Sequence, residues 1–313
     1  MPVVGDLAAR LVSSVESVII GKRWQIEQLL VAVLSEGHIL IEDVPGTGKT
    51  MLARALAASL HLSFRRVQCT PDLLPSDITG VSVFDQRRAD FEFRPGPVFT
   101  NVLLTDEINR ATPRTQSALL EAMAEGQVTV DGETHQLAPP FLVLATQNPI
   151  ELEGTFPLPE AQLDRFMISM AMGYPSPADE VAMARRIGRR HPIEDVKAVV
   201  SSAELAEATA EAAGIHLDED LLAYAVGLVD ATRRHPHVAL GASPRATLAL
   251  IRTARALAAV RGRDFVIPDD IKVMAAPVMT HRLSLTAEAR LRDLSAAGVV
   301  SEILEAAPLA GVG

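Results

Sequence analysis

The chain has 313 residues, 48% of them hydrophobic and 22% charged, with a formal net charge of −10. That composition can bury a sizeable core and excludes intrinsic disorder, while the acidic balance argues weakly against a dedicated nucleic-acid binder, whose phosphate contacts call for a basic face. A single cysteine, Cys69, excludes an intramolecular disulfide and fits a reducing compartment.

No segment approaches the roughly 18 uncharged apolar residues of a spanning helix. Met1 to Arg10 carries Asp6 and Arg10 and lacks the basic start and apolar stretch of a signal peptide. A soluble, cytoplasmic protein is expected. Leu7 to Ser17 reads as a first helix, with Leu7, Leu11 and Val15 on one face, and Trp24 to Ser35 as a second. Between them lies Val18-Ile19-Ile20-Gly21-Lys22, which reads equally as an adenine wall or as ordinary core residues at a turn.

An apolar strand, His38-Ile39-Leu40-Ile41, then runs into Glu42-Asp43-Val44-Pro45-Gly46-Thr47-Gly48-Lys49-Thr50, and an amphipathic helix follows from Met51 to Leu60. Strand, glycine-rich turn and helix are the context that a phosphate-binding loop requires. Gly46 and Gly48 allow the backbone to curl so that its N–H groups face phosphate oxygens. The helix start adds its positive dipole end. Lys49 can reach the β- and γ-phosphates, and Thr50 can offer a hydroxyl to Mg²⁺. The strict pattern wants Gly at position 43, where this chain has Asp43.

Phe64 to Gln68 reads as a strand, and Cys69 beyond it as a small buried residue. From Thr70 to Thr100 the chain is rich in Pro and Gly, with Ser82-Val83-Phe84 and Phe91-Glu92-Phe93 forming a small hairpin. The strand Asn101-Val102-Leu103-Leu104-Thr105 ends in Asp106-Glu107. Asp106 is placed to hold Mg²⁺ at the carboxyl end of a parallel strand, and Glu107 to polarise an attacking water. A lone Asp-Glu pair would signify little; following a Lys-Thr loop at this spacing, it points to NTP hydrolysis. Thr112 is an expected cap for a helix reaching Ala124. Gln127 to Val130 and Thr134 to Leu137 flank Asp131-Gly132 as a hairpin. The strand Phe141 to Thr146 ends in Gln147-Asn148-Pro149, putting a polar side chain beside the γ-phosphate. A helix carrying Glu160 to Phe166 leads to a last strand, Met167 to Met172.

Alternating strands and helices imply an α/β fold, a parallel sheet sandwiched by helices. After the linker Tyr174-Pro175-Ser176-Pro177, everything reads as helix: 178–190, 202–213, 218–233, 243–261, 268–276 and 286–304, with a frayed tail from Pro308 to Gly313. The expected division is a nucleotide-binding core over 1–173, with an insert at about 72–100 and a hairpin at about 126–139, and an all-helical C-terminal lid over 174–313.

The order of these motifs resembles the MoxR family of AAA+ ATPases over essentially the whole chain. The resemblance rests on Leu40 to Thr50, Thr70 to Gly80, Asp106-Glu107-Ile108-Asn109-Arg110-Ala111, Ala145 to Pro149 and Glu160 to Phe166. Asp43 belongs to the family pattern. The resemblance implies ATP and Mg²⁺ as cofactors and a P-loop core with an insert in its second helix and a hairpin before sensor 1. It implies adenine contacts at Val18, Ile19 and Gly21, and a nucleotide loop from Val44, Pro45, Gly46, Thr47 and Gly48 through Lys49, Thr50 and Met51. Asn148 matches sensor 1. Arg165 matches the arginine finger that reaches a neighbour's nucleotide. Arg245, in Gly241-Ala242-Ser243-Pro244-Arg245, matches sensor 2, whether in its own subunit or the next. The family implies a ring, typically a hexamer, acting as a chaperone-like ATPase on a protein client, often with a von Willebrand factor A domain protein, in maturing metal-dependent enzymes or complexes.

Three other functions share these motifs. A nucleic-acid motor would need a gripping hairpin, but Gly126 to Pro139 contains Asp131 and Glu133 and no Lys or Arg. A metal-chelatase motor is close in fold. A non-hydrolysing switch sits poorly with Glu107, Asn148 and Arg165 all present. Arg110 reads as structural or at a subunit contact, His235 and His237 form no metal-ligand grouping, and the polar pair His281-Arg282 has no explanation in the sequence.

Overall fold

The computed structural model describes residues 3–148, 154–186 and 192–307. Pro149, the end of the helix expected over 178–190 and the tail from Pro308 to Gly313 lie outside the described residues. The chain begins with two helices, α1 (Val3–Glu16) and α2 (Arg23–Leu34). Then come β1 (Ile39–Glu42), the glycine-rich turn, α3 (Lys49–Ser59) and β2 (Phe64–Gln68). A short α4 (Pro75–Thr79) precedes an antiparallel hairpin of β3 (Gly80–Asp85) and β4 (Asp90–Pro95). After β5 (Val102–Asp106) come a 3-10 turn, α5 (Pro113–Glu125) and a second hairpin, β6 (Gln127–Val130) with β7 (Glu133–Gln136). β8 (Leu142–Gln147), the four-residue α6 (Glu160–Leu163) and β9 (Ile168–Met170) complete the core. The remainder is α7 (Pro177–Arg185), α8 (Ser202–Ala213), α9 (Glu219–Arg234), β10 (Val238–Leu240), α10 (Pro244–Val260), α11 (Pro268–Met279), β11 (Ser284–Leu285), α12 (Ala287–Leu291) and α13 (Ala296–Ala306).

Five strands form one parallel sheet in the order β2-β5-β8-β1-β9. All five residues of β5 are buried, as are the first five of β8. Such uninterrupted burial is what a parallel sheet covered on both faces requires. Apolar residues on one face join α1, α2 and α3, and those on the other join α5 and the turn before it. Polar side chains lock the register at the strand ends. The Glu42 carboxylate accepts from Gln147 Nε2 at 2.9 Å and from Ser169 Oγ at 2.8 Å, tying β1 to both neighbours.

Besides its helices the lid carries a short β pairing. β10 and β11 pair antiparallel across it. Strands of two and three residues are too short to show a period in sequence, so this pairing was not legible there. The helix expected over 286–304 is two helices. Asp293 takes a left-handed φ of +55°, and the Ser295 hydroxyl accepts from Gly298 N–H to start a new helix. The first two helices also pack against the lid. α1 and α2 lie on α8 and α10, and Arg10 bridges to Glu204 at 2.9 Å and to the Val199 carbonyl at 2.7 Å.

His38, entering β1, is buried and joins three elements. Its Nδ1 accepts from Val143 N–H of β8 at 3.1 Å, so its Nε2 is left to donate to the Met123 carbonyl of α5 at 3.0 Å. Burial pushes its pKa down to about 4 from 6.5. The unfolded chain takes up a proton near pH 6.5 that the folded state refuses. Stability is therefore full above about pH 6.5 and falls as the pH drops toward 4, by up to about 3 kcal/mol from this residue. Denaturant unfolding measured between pH 7.5 and 4.5 is expected to show that loss; a flat profile would contradict it.

Candidate nucleotide site

β1, β8 and β5 are adjacent, so their carboxyl ends open on one edge of the sheet. There Asp43, the turn from Pro45 to Gly48, Lys49, Thr50, Met51, Arg66, Gln68, Asp106, Glu107, Thr146 and Asn148 line a cavity of about 350 Å³. Gly46 and Gly48 have φ of +84° and +88°, the left-handed region that favours glycine. Gly48 leads directly into α3, whose first residue is Lys49. Unpaired N–H groups at that helix start face the region where an anion gains most from the helix dipole.

Charged groups in the cavity are already engaged. Lys49 Nζ donates to the Asp43 carbonyl at 2.8 Å. Burial lowers its pKa, and Asp43, Asp106 and Glu107 oppose that shift. The Asp106 carboxylate accepts from Arg66 Nε at 2.6 Å and from Thr146 Oγ1 at 3.2 Å. Glu107 takes a left-handed φ of +56°, its N–H donates to Thr146 Oγ1 at 2.9 Å, and its carboxylate pairs with Arg110 at 2.9 Å. A non-glycine residue in that region costs of order 1–3 kcal/mol, which the surrounding contacts sustain. Cys69 is buried beneath this edge. Burial first, then Asp106 and Glu107, push its thiol up to about 12, which makes it inert at neutral pH.

Among the described residues no group of three or more His, Cys, Asp or Glu could hold a metal ion. One carboxylate and one hydroxyl, Asp106 and Thr50, stand on the same cavity. That oxygen set suits a hard cation such as Mg²⁺, which is commonly bound by one or two carboxylates together with substrate phosphates.

A second cavity, of about 150 Å³, adjoins the turn. Val18, Ile19, Ile20, Lys22, Pro175 and Met183 line it together with Gly46, Thr47, Gly48 and Met51. It is mostly apolar and of the kind that takes a flat ring. Gly21 is not in its wall. Gly21 has φ of +70°, and a Cβ there would lie 2.2 Å from an Asp179 carboxylate oxygen, so this glycine permits close approach of α7.

Residues 38–168 match the family described as ATPase family associated with various cellular activities (AAA), and residues 230–303 match the AAA lid domain. The chain is 43% identical to Chaperone MoxR1 of Mycobacterium tuberculosis over 96% of its own length and 81% of that protein. It is 34% identical to Protein MoxR of Paracoccus denitrificans over 88% of its length and 87% of that protein. The chain belongs to the MoxR family of AAA+ ATPases. Uncharacterized protein YeaC of Bacillus subtilis is 49% identical, with 96% of this chain and 94% of that one covered. A crystal structure from Cytophaga hutchinsonii, described as a candidate ATPase, superposes with a TM-score of 0.90 at 40% identity, covering 96% of this chain and 94% of that one.

In this MoxR-family chain two expected residues stand apart from the phosphate cavity. Arg165, just after α6, donates from Nη1 to the Leu120 carbonyl at 2.6 Å. Arg245 is exposed in the first turn of α10, and its N–H donates to Ser243 Oγ at 3.0 Å. Neither lines the cavity of its own chain. Val44 is in neither wall; its N–H donates to Asp43 Oδ1 at 2.7 Å. The Asp43 carboxylate also accepts from Gly173 N–H at 2.8 Å, which ties the turn to the start of the linker. Arg66, Gln68 and Thr146 were missed by sequence reasoning. Arg66 and Gln68 alternate along β2, a period that was available, but Asp106 lies opposite Gln68 only through the register of β2 with β5.

At Gly48 a Cβ would meet nothing within 4 Å, so its requirement is conformational and not spatial. Gly48→Ala is expected to cost about 1–2 kcal/mol of left-handed strain. It should lower the melting temperature and weaken nucleotide binding measured by calorimetry.

Proposed function

We propose that this chain hydrolyses ATP to ADP and phosphate with Mg²⁺, in a hexameric ring of the kind its family resemblance implies, and uses the cycle to remodel protein clients. The observation that carries this reading is the convergence of Lys49, Thr50, Asp106, Glu107 and Asn148 on one cavity at the start of α3. Lys49 and the turn amides bind phosphate. Thr50 and Asp106 would hold Mg²⁺, which when bound supplies positive charge against the phosphate oxygens. Glu107 orients the attacking water and accepts its proton, once its carboxylate leaves Arg110. Asn148 assists at the γ-phosphate. Val18 and Ile19 wall the base.

Arg165 and Arg245 complete a neighbour's site. Neither lines the phosphate cavity of its own chain, which supports action in trans for both. We take residues 1–173 as the nucleotide-binding unit and 174–313 as the lid. No helix of the described residues is long and apolar enough to cross a membrane. A protein client, with a von Willebrand factor A domain protein as the partner suggested by the family resemblance, fits a chain whose hairpin over 126–139 carries Asp131 and Glu133 and no Lys or Arg.

Lys49→Ala is expected to lose ATP binding. Glu107→Gln should bind ATP and hydrolyse it at least roughly a hundredfold more slowly. Arg165→Ala should bind ATP normally and lose roughly 10³–10⁵ in assembly-dependent turnover. Calorimetry and phosphate release on the three variants test these roles, and normal hydrolysis by Glu107→Gln would sink the catalytic assignment. Solution mass of Glu107→Gln with and without ATP tests the ring: a shift to a multimer of about six chains is expected, and a monomer with ATP bound at every concentration would contradict it.

A further inference from the structure

The pair His281-Arg282 lies in a 3-10 turn between α11 and β11, and both side chains are buried. Arg282 reaches across to the turn that holds Arg165. Its Nε donates to Asp164 Oδ1 at 3.0 Å, Nη1 to the carbonyls of Met167 at 3.1 Å and Val278, and Nη2 to those of Asp164 at 3.4 Å and Phe166. All five guanidinium N–H donors are used, and four of the five acceptors belong to the segment from Asp164 to Met167. His281 Nε2 lies 3.2 Å from the Phe166 carbonyl. The other Asp164 oxygen accepts from Ser243 Oγ at 2.9 Å, the residue that caps α10 two positions before Arg245.

We infer that Arg282 is a positioning residue for the reaction: it fixes the backbone on both sides of Arg165 and, through Asp164 and Ser243, holds Arg165 and Arg245 as one unit. The root of Arg165 is pinned at the Asp164 and Phe166 carbonyls. Among the described residues its tip has one hydrogen bond, to the Leu120 carbonyl, which a phosphate oxygen can replace. A rigid root with a releasable tip suits a side chain that must enter a neighbouring site in one geometry. The same clamp makes any movement of the lid a movement of Arg165. The inference rests on the reading of Arg165 given above.

Arg282→Lys keeps the charge but offers three donors in place of a planar fork of five. It should bind ATP within about twofold of the unaltered chain, because Arg282 is not in the wall of the phosphate cavity, and lose at least tenfold in assembly-dependent kcat. Combined with Arg165→Ala, it should add little to the loss, since residues acting as a unit are not additive. The decisive readout is complementation. Lys49→Ala cannot bind nucleotide but can offer its Arg165, while Arg282→Lys does the reverse, so an equimolar mixture should recover turnover that neither has alone. Should Arg282→Lys not fold by circular dichroism, Asp164→Asn replaces it in every arm. A mixture no more active than its parts, or full turnover by Arg282→Lys while Arg165→Ala is impaired, would overturn the inference. Full turnover by Arg165→Ala itself would remove the arginine-finger reading, and the inference with it.

Discussion

Strand β8 pairs in parallel with β1 on one side and with β5 on the other, and the site depends on that double pairing. In a parallel sheet all carboxyl ends open on the same edge. The phosphate turn after β1, Asp106-Glu107 after β5 and Asn148 after β8 therefore meet at one cavity, although about a hundred residues separate the first from the last. The Glu42 carboxylate, bonded to Gln147 and Ser169, fixes this register at the point where the strands give way to the site. A slip of β8 by one residue would turn Thr146 and Asn148 to the opposite faces.

Acids and bases around the cavity answer one another before any substrate does. Lys49 is bonded to the Asp43 carbonyl, Asp106 to Arg66 and Thr146, and Glu107 to Arg110. On the proposed reading, a triphosphate with its cation would compete for each of these groups, so that binding would reorganise the site as well as fill it. Arg66 is half-exposed and Asp106 nearly buried; the guanidinium can swing outward at little cost, whereas the carboxylate stays in place. Asp43 adds a covalently short route from the turn to the linker, through its bond to Gly173 N–H. The acid that departs from the strict phosphate-loop pattern is thus a tie between the site and the chain that enters the linker.

The lid is joined to the core by buried charge. Arg282 and Asp164 form an ion pair with side chains 3% and 16% exposed. Burial lowers the Arg282 pKa, Asp164 opposes that shift, and Arg245 adds to it. Such pairs contribute little net stability because desolvation offsets the attraction. They do fix geometry, since removing either partner leaves a buried charge unmatched. Arg263 and Asp270 make a comparable bidentate pair within the lid, at 2.6 Å for each bond. Together these pairs hold α10, α11 and the Arg165 turn in a single arrangement.

The sequence determined the elements whose signals are local. The turn from Pro45 to Thr50, the capped start of α5 at Thr112, the Asp131-Gly132 hairpin and the apolar strands of the parallel sheet all follow from residue type and spacing. So does the acid pair at the end of β5, because its meaning comes from the loop that precedes it. Tertiary structure decided what depends on register and on distant pairing. Arg66 meets Asp106 only because β2 lies beside β5. β10 and β11 are too short to declare themselves and exist only as each other's partner. Arg282 reaches the Asp164 turn from more than a hundred residues away, and no local pattern distinguishes its fully bonded guanidinium from a surface arginine. Periodicity encodes which face of an element is apolar; it does not encode which polar group will stand opposite once the faces have met.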